Sequence, residues 1–260
     1  MPQWTPETVA HDLYAAERDR RDREPFTNEW PDFSLAEAYT AQDRLLELKR
    51  EHGERIIGVK LGLTSRAKQR RMGISSPLTA WLTDAMVLPQ DVPVPVGELI
   101  HPRIEPEIAF VMGERLAGPG VTGATALAAV RSVHAGFEVI DSRYRDFRFQ
   151  LPDVVADNAS SSRFVVSPTG RPPADLELAR EGCVFRIDGE VVDTATGAAV
   201  QGHPAEALAL AANSLAERGL AIEPGWIVLT GGMTDAAPVR RGTHATAEFT
   251  HLGTVGVVGG

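Results

Sequence analysis

Cysteine is almost missing from this chain. A single residue, Cys183, in 260 excludes an internal disulfide and a zinc site built on several thiolates. It fits a reducing cytoplasm, which is the expected compartment. Basic charge is also in deficit. Against 35 Asp and Glu there are 26 Lys and Arg, a net charge of −9, so nucleic-acid binding has no electrostatic support. The arginine-rich stretch 18–23 is interleaved with acids. No apolar run approaches the length of a transmembrane helix. The opening MPQWTPETVA has no basic segment followed by an apolar one, so no signal peptide is expected. There is no G-x-S-x-G elbow, and the seven histidines form no H-x-x-x-H pair.

What remains is a globular composition, 43% hydrophobic and 23% charged, long enough for one large domain or two small ones. Residues 6–24 carry Val9, Leu13 and Ala16 on one helical face. Ser34-Leu-Ala-Glu37 is a capping box that opens a second helix, with Gly53 as its C-cap. After residue 85 strands dominate. Ile56–Leu63 is an apolar run holding one charge, Lys60, between Gly58 and Gly62. Residues 64–84 suit a short helix followed by a loop, and the proline-spaced valines of 87–98 suit an edge strand or extended segment. Asp188-Gly189 joins two strand-like runs as a hairpin, and Pro204 opens an Ala/Leu-rich helix ending near Arg218. The organisation expected is a helical N-terminal cap, 1–55, and a β-rich catalytic domain, 56–260, forming one structural unit of α+β class.

The chemistry concentrates in His101-Pro-Arg-Ile-Glu-Pro-Glu-Ile-Ala-Phe110. Glu105 and Glu107 lie two apart in an apolar run, so on a strand they share a face, opposite Ile104, Ile108 and Phe110. Buried together they would repel each other, and a divalent cation with a preference for oxygen ligands removes that cost. The pattern alone also suits a solvated strand face. Glu138, among Phe137, Val139 and Ile140, is a third carboxylate set in a strand. Three such groups would supply half of an octahedral oxygen shell. His101 precedes Glu105 by four residues, but Pro102 favours a strand start there, and no ligand role is assigned to it. Gly118-Pro-Gly120-Val-Thr-Gly123 matches the dinucleotide fingerprint G-x-G-x-x-G, with Asp141 at the end of the next strand. The residues 113–117 that separate it from the preceding strand instead favour a wide surface loop.

Gly58-Val-Lys-Leu-Gly-Leu-Thr-Ser65, Glu105-Pro-Glu107, Glu138-Val-Ile-Asp-Ser-Arg143 and Val155-Ala-Asp-Asn-Ala-Ser160 occur in this order in the hydratase/decarboxylase branch of the fumarylacetoacetate hydrolase superfamily. The resemblance runs from Pro31 to Thr230. It implies a fumarylacetoacetate-hydrolase-like fold with a curved mixed sheet. It also implies Mg²⁺ or Mn²⁺ on residues matching Glu105, Glu107 and Glu138, and an essential lysine matching Lys60. Ser160 is expected to orient substrate. Arg71, or the loop 72–77, is expected to cover the site and hold a distal carboxylate. The motifs around His101 and Asp141 are more similar to the decarboxylating members. The activity implied is therefore metal-dependent decarboxylation of 4-oxalocrotonate (2-oxo-3-hexenedioate) to 2-hydroxypenta-2,4-dienoate, in the catabolism of aromatic compounds. Hydration of that dienoate is the alternative, and a non-catalytic partner subunit is a third reading. A homo-oligomer and a complex with a homologous hydratase are the implied assemblies, with neither nucleic acid nor membrane as a partner. The segment 231–238 departs from the pattern and receives no role.

Overall fold

A computed structural model describes residues 4–65, 69–70 and 77–260. Its larger sheet contains β1 (Ile56–Gly62), β2 (Leu78–Thr83), β3 (Arg103–Met112), β4 (Val130–Ile140), β5 (Ser161–Val166), β8 (Ile227–Leu229) and β9 (Ala237–Pro238). The order is β2-β1-β8-β3-β4-β5, with β9 beside β3. β1 and β8 run parallel, whereas β3 and β4 run antiparallel over their whole length, so the sheet is mixed. Register breaks at Ile56/Gly58, Val111/Met112 and Val139/Ile140 bend the strands and curve the sheet. A second sheet has the order β11-β10-β6-β7, from β6 (Gly182–Ile187), β7 (Glu190–Thr196), β10 (His244–Phe249) and β11 (Gly253–Val258). The helices are α1 (Pro6–Asp19), α2 (Leu35–Glu51), α3 (Gly123–Ala128), α4 (Leu151–Ala156) and α5 (Pro204–Glu217).

Alternation along β3 divides its side chains between two environments. Ile104, Ile108 and Phe110 are fully buried in the main core, packed with Phe137 and Val139 of β4, Phe185 of β6, Ala247 of β10, Val255 of β11, and Leu208 and Leu215 of α5. Each such large side chain contributes roughly 1.5–3 kcal/mol of apolar burial. That anchorage sets the register, and a one-residue slip would turn the glutamates into the core. A separate cluster joins Val9, Ala10 and Leu13 of α1 to Leu45 and Leu48 of α2, Tyr144, and Val154 to Ala156 of α4. Thr5 and Ser34 cap their helices with reciprocal capping boxes.

Three local expectations are corrected. The first helix stops at Asp19, because Arg20 adopts φ 54° and bonds back to Ala16 and Glu17; the last buried residue of the stripe is Ala16. Residues 87–98, expected as an edge strand or extended segment, form no strand; they hold one 3₁₀ turn, Val96–Glu98, and the isolated bridges Val87–Phe164 and Val94–Gly259, since prolines lack the donors a ladder needs. Leu78–Thr83, expected within a helix and loop, is a strand buried at every position. The Asp188-Gly189 turn is as expected, with φ of 52° and 87°.

Candidate functional site

Antiparallel pairing of β3 with β4 sets Glu105 directly opposite Glu138, and Glu107 opposite Gly136. One oxygen of each of the three carboxylates lies within 4.8 Å of the others. Lys60 comes to the same place from β1, through β8, where it pairs with Leu229. Its Nζ donates to Glu138 Oε2 at 3.0 Å, and both side chains are buried, at 3% and 1% exposure. The structure thus brings together four of the residues singled out from sequence. Gly58 serves this arrangement: a Cβ there would lie 2.0 Å from the Ile227 carbonyl oxygen, so a side chain would push β1 away from β8.

Among the described residues, three carboxylates here stand beside one ammonium. Burial, then Glu138, then Glu105 hold the Glu107 carboxyl well above the usual carboxylate range. Glu107 Oε2 accepts the Gly231 N–H at 2.7 Å. Its Oε1 is buried and has no hydrogen-bond partner among the described residues. An orphaned carboxylate oxygen facing two further carboxylates has the donor chemistry of a hard divalent cation site. The glycine pair 231–232 is shaped to this centre. A Cβ on Gly232 would sit 2.2 Å from Glu105 Oε2, and Gly231, at φ 112°, has no room for one beside Thr64. Sequence reasoning left 231–238 without a role. Its contribution is a backbone N–H and an absence of side chain, and the detectable trace was the Gly-Gly step after an apolar strand.

Beside the carboxylates opens a cleft of about 470 Å³. Lys60, Arg103, Glu105, Ser160 and Asp235 line it with polar atoms, and Leu63, Ile140, Phe147, Phe149 and Val154 with apolar ones. Ser160 lies on a turn where Asn158, Ala159 and Ser160 have φ of 48°, 50° and 60°. Three consecutive non-glycine residues in the left-handed region store strain that the surroundings must hold. Arg143 and Asp157 supply that hold as a fully buried ion pair. The Arg143 guanidinium also donates to the carbonyls of Asp157 at 2.7 Å and Asp141 at 2.8 Å. Asn158 bonds both backbone groups of Trp81 in β2, at 2.8 and 2.9 Å. The turn delivers Ser160 Oγ to Asp157 at 3.2 Å and Ser161 Oγ to Glu138 Oε1 at 3.3 Å. Arg71 lies outside the described residues, as does most of the loop 72–77.

The dinucleotide-like stretch is engaged elsewhere. Val121 bonds Asn213 of α5 through both backbone groups, at 3.0 and 2.9 Å, and Asp141 accepts the Ile100 and His101 N–H groups at 2.9 and 2.8 Å. His101 rests against Phe147, with ring centroids 4.9 Å apart. Among the described residues, no helix is long and apolar enough to cross a membrane.

A curved mixed sheet whose one face carries three converging carboxylates and a lysine under an apolar-walled cleft defines a class of oxygen-ligand metal sites on an α+β scaffold. The fumarylacetoacetate (FAA) hydrolase C-terminal model matches residues 55–257, and the chain belongs to the fumarylacetoacetate hydrolase family. It is 43% identical over 244 residues to 4-oxalocrotonate decarboxylase of Pseudomonas sp. (strain CF600), covering 94% of this chain and 92% of that protein. It is 36% identical over 253 residues to 2-hydroxyhexa-2,4-dienoate hydratase of Comamonas testosteroni, covering 96% of each. The solved structure of 4-oxalocrotonate decarboxylase from Pseudomonas putida G7, complexed with magnesium and adipate, superposes with a TM-score of 0.95 at 40% identity, over 97% of this chain and 96% of that one.

Proposed function

We propose that the chain is a metal-dependent lyase that decarboxylates 2-oxo-3-hexenedioate (4-oxalocrotonate) to 2-hydroxypenta-2,4-dienoate. The observation that carries this reading is the Glu105–Glu107–Glu138 cluster, Glu107 and Glu138 buried and Glu105 half-buried, with its orphaned oxygen, beside a cleft that Glu105 and Lys60 line. Near-full-length similarity to proteins of that activity supports it. The three glutamates would hold Mg²⁺ or Mn²⁺, which when bound supplies Lewis-acid stabilisation to an oxyanion.

In the reaction, the bond between C5 and the C6 carboxylate breaks and CO₂ departs. Its electron pair passes along the chain, forming the C4–C5 and C2–C3 double bonds, and charge collects on the 2-oxygen. Lys60 Nζ, held by Glu138 at 3.0 Å, carries a proton where that charge develops, and donating it yields the enol. The apolar wall of Leu63, Ile140, Phe149 and Val154 flattens the conjugated chain and excludes water, which strengthens the ionic contacts inside. Ser160, on its strained turn, lines the cleft and orients the substrate. Arg71, or the loop 72–77, would cover the site.

The hydratase remains the second reading, favoured by full-length similarity to a dienoate hydratase; water addition needs the same stabilised enol. Assembly as a homo-oligomer, association with a hydratase that takes up the short-lived dienol, and a cytoplasmic location belong to the same proposal. The test is to give the purified chain 2-oxo-3-hexenedioate with Mg²⁺, then with EDTA, and to measure CO₂. Metal-dependent release is the expected result. A folded, metal-loaded chain that releases none would turn the assignment to hydration of 2-hydroxypenta-2,4-dienoate, or to a partner subunit if that also fails.

A further inference from the structure

We propose that Arg103 reads the far carboxylate of the substrate and sets the preference of the cleft for dicarboxylic over monocarboxylic acids. The inference rests on the proposed function and names a recognition residue within that site. Arg103 opens β3, two residues before Glu105 and four before Glu107, so all three project from one face of the strand. The ladder sets Arg103 opposite Ile140 and Glu105 opposite Glu138. Arg103 and Ile140 therefore form the next rung on the same face as the carboxylates, two residues along, and both line the cleft. One such step is about 7 Å along an antiparallel strand. An extended six-carbon diacid separates its terminal carboxyl carbons by roughly 6 Å on standard bond lengths. A substrate whose 2-oxo acid end sits at the glutamates presents its other end at Arg103.

The surroundings of the guanidinium fit this task. Its central carbon lies 4.2 Å from the centroid of the Phe147 ring, and Phe147 also lines the cleft. Among the described residues no carboxylate pairs with Arg103, whereas Arg23, Arg143 and Arg218 each have an acidic partner. The aromatic face fixes the plane of the guanidinium and leaves its edge N–H groups to donate, and that planar fork matches a carboxylate in bidentate geometry. Departure of CO₂ removes the charge that Arg103 holds. Its grip is therefore stronger on the substrate than on the transition state, and its loss falls on KM more than on kcat.

The experiment compares wild type with Arg103→Gln and Arg103→Lys, in the presence of Mg²⁺. Titration calorimetry with adipate, hexanoate and 2-oxopentanoate reads binding, and CO₂ release reads turnover. Wild type should prefer adipate to hexanoate by about tenfold or more, as a charge-assisted pair requires. Arg103→Gln should erase that preference, raise KM for 2-oxo-3-hexenedioate about tenfold or more, and leave 2-oxopentanoate binding within about twofold. Arg103→Lys should recover part of the preference, having charge without the fork. Equal losses for adipate and 2-oxopentanoate would overturn the proposal, since Arg103 would then hold the shared acid end or the fold. Undiminished adipate preference in Arg103→Gln would overturn it too. If wild type releases no CO₂ but loses its adipate preference with Arg103, the decarboxylase reading falls and the recognition role stands.

Discussion

Two buried ionic clusters lie close together in this molecule, and they are built on opposite principles. Arg143 and Asp157 are 1% and 0% exposed, and the guanidinium spends its further N–H groups on backbone carbonyls. Charge is balanced there and the donors are satisfied, as a structural ion pair requires. At Glu105, Glu107 and Glu138, three carboxylates meet one lysine among the described residues, and there Glu107 Oε1 has no hydrogen-bond partner. One cluster is completed by the chain's own atoms, and the buried orphan oxygen of the other marks it as the one that awaits a ligand. The two are joined by the turn 157–161, so the satisfied cluster holds the serines that face the unsatisfied one.

Breaking the unsatisfied cluster should abolish function without harming the fold. Glu107→Gln is expected to lower metal-dependent CO₂ release by more than about a hundredfold, beyond the usual loss from outer-shell partners. The metal-free melting temperature should hold or rise, because a repelling charge is removed from a buried site. Lys60→Met should cost about 10²–10⁴ in kcat, the range of a lost general acid, with circular dichroism unchanged. Breaking the satisfied cluster should do the reverse. Arg143→Met strands a buried aspartate and should cost about 3–5 kcal/mol in denaturant unfolding, and Mg²⁺ should not restore the loss in full.

Smaller effects sharpen the contrast. Burial and two neighbouring carboxylates hold the Glu107 carboxyl above its ordinary value, so cation binding competes with proton binding there. The sign follows: affinity for Mg²⁺ should fall as pH drops through the raised value, and calorimetry in buffers of different ionisation enthalpy should detect protons released on binding. Ser161→Ala removes one hydrogen bond to Glu138. It should shift stability by about 1 kcal/mol and raise the half-saturating Mg²⁺ concentration by less than about tenfold.

Much of this was legible in the residues, for physical reasons that also explain the gaps. Glu105 and Glu107 stood out because a strand repeats every two residues, and Ile104, Ile108 and Phe110 on either side of them marked the core face. Lys60 and Glu138 stood out as lone charges in apolar runs. β2 escaped because all six of its residues are buried, so no polar alternation marks it. Gly231 escaped because a backbone N–H leaves no side-chain signature. The Arg143–Asp157 pair is invisible to periodicity, since a loop and a turn bring it together across 14 positions. Arg103 sat inside the quoted motif, but only the rung opposite Ile140 and the ring of Phe147 reveal where it belongs.

If the three glutamates form one divalent-cation site, titration of Mg²⁺ into the metal-free protein will find it. One saturable site per chain is expected in wild type, lost in Glu107→Gln and retained in folded Arg103→Gln. Undiminished Mg²⁺ binding in Glu107→Gln, or none in wild type, would contradict the three-glutamate site.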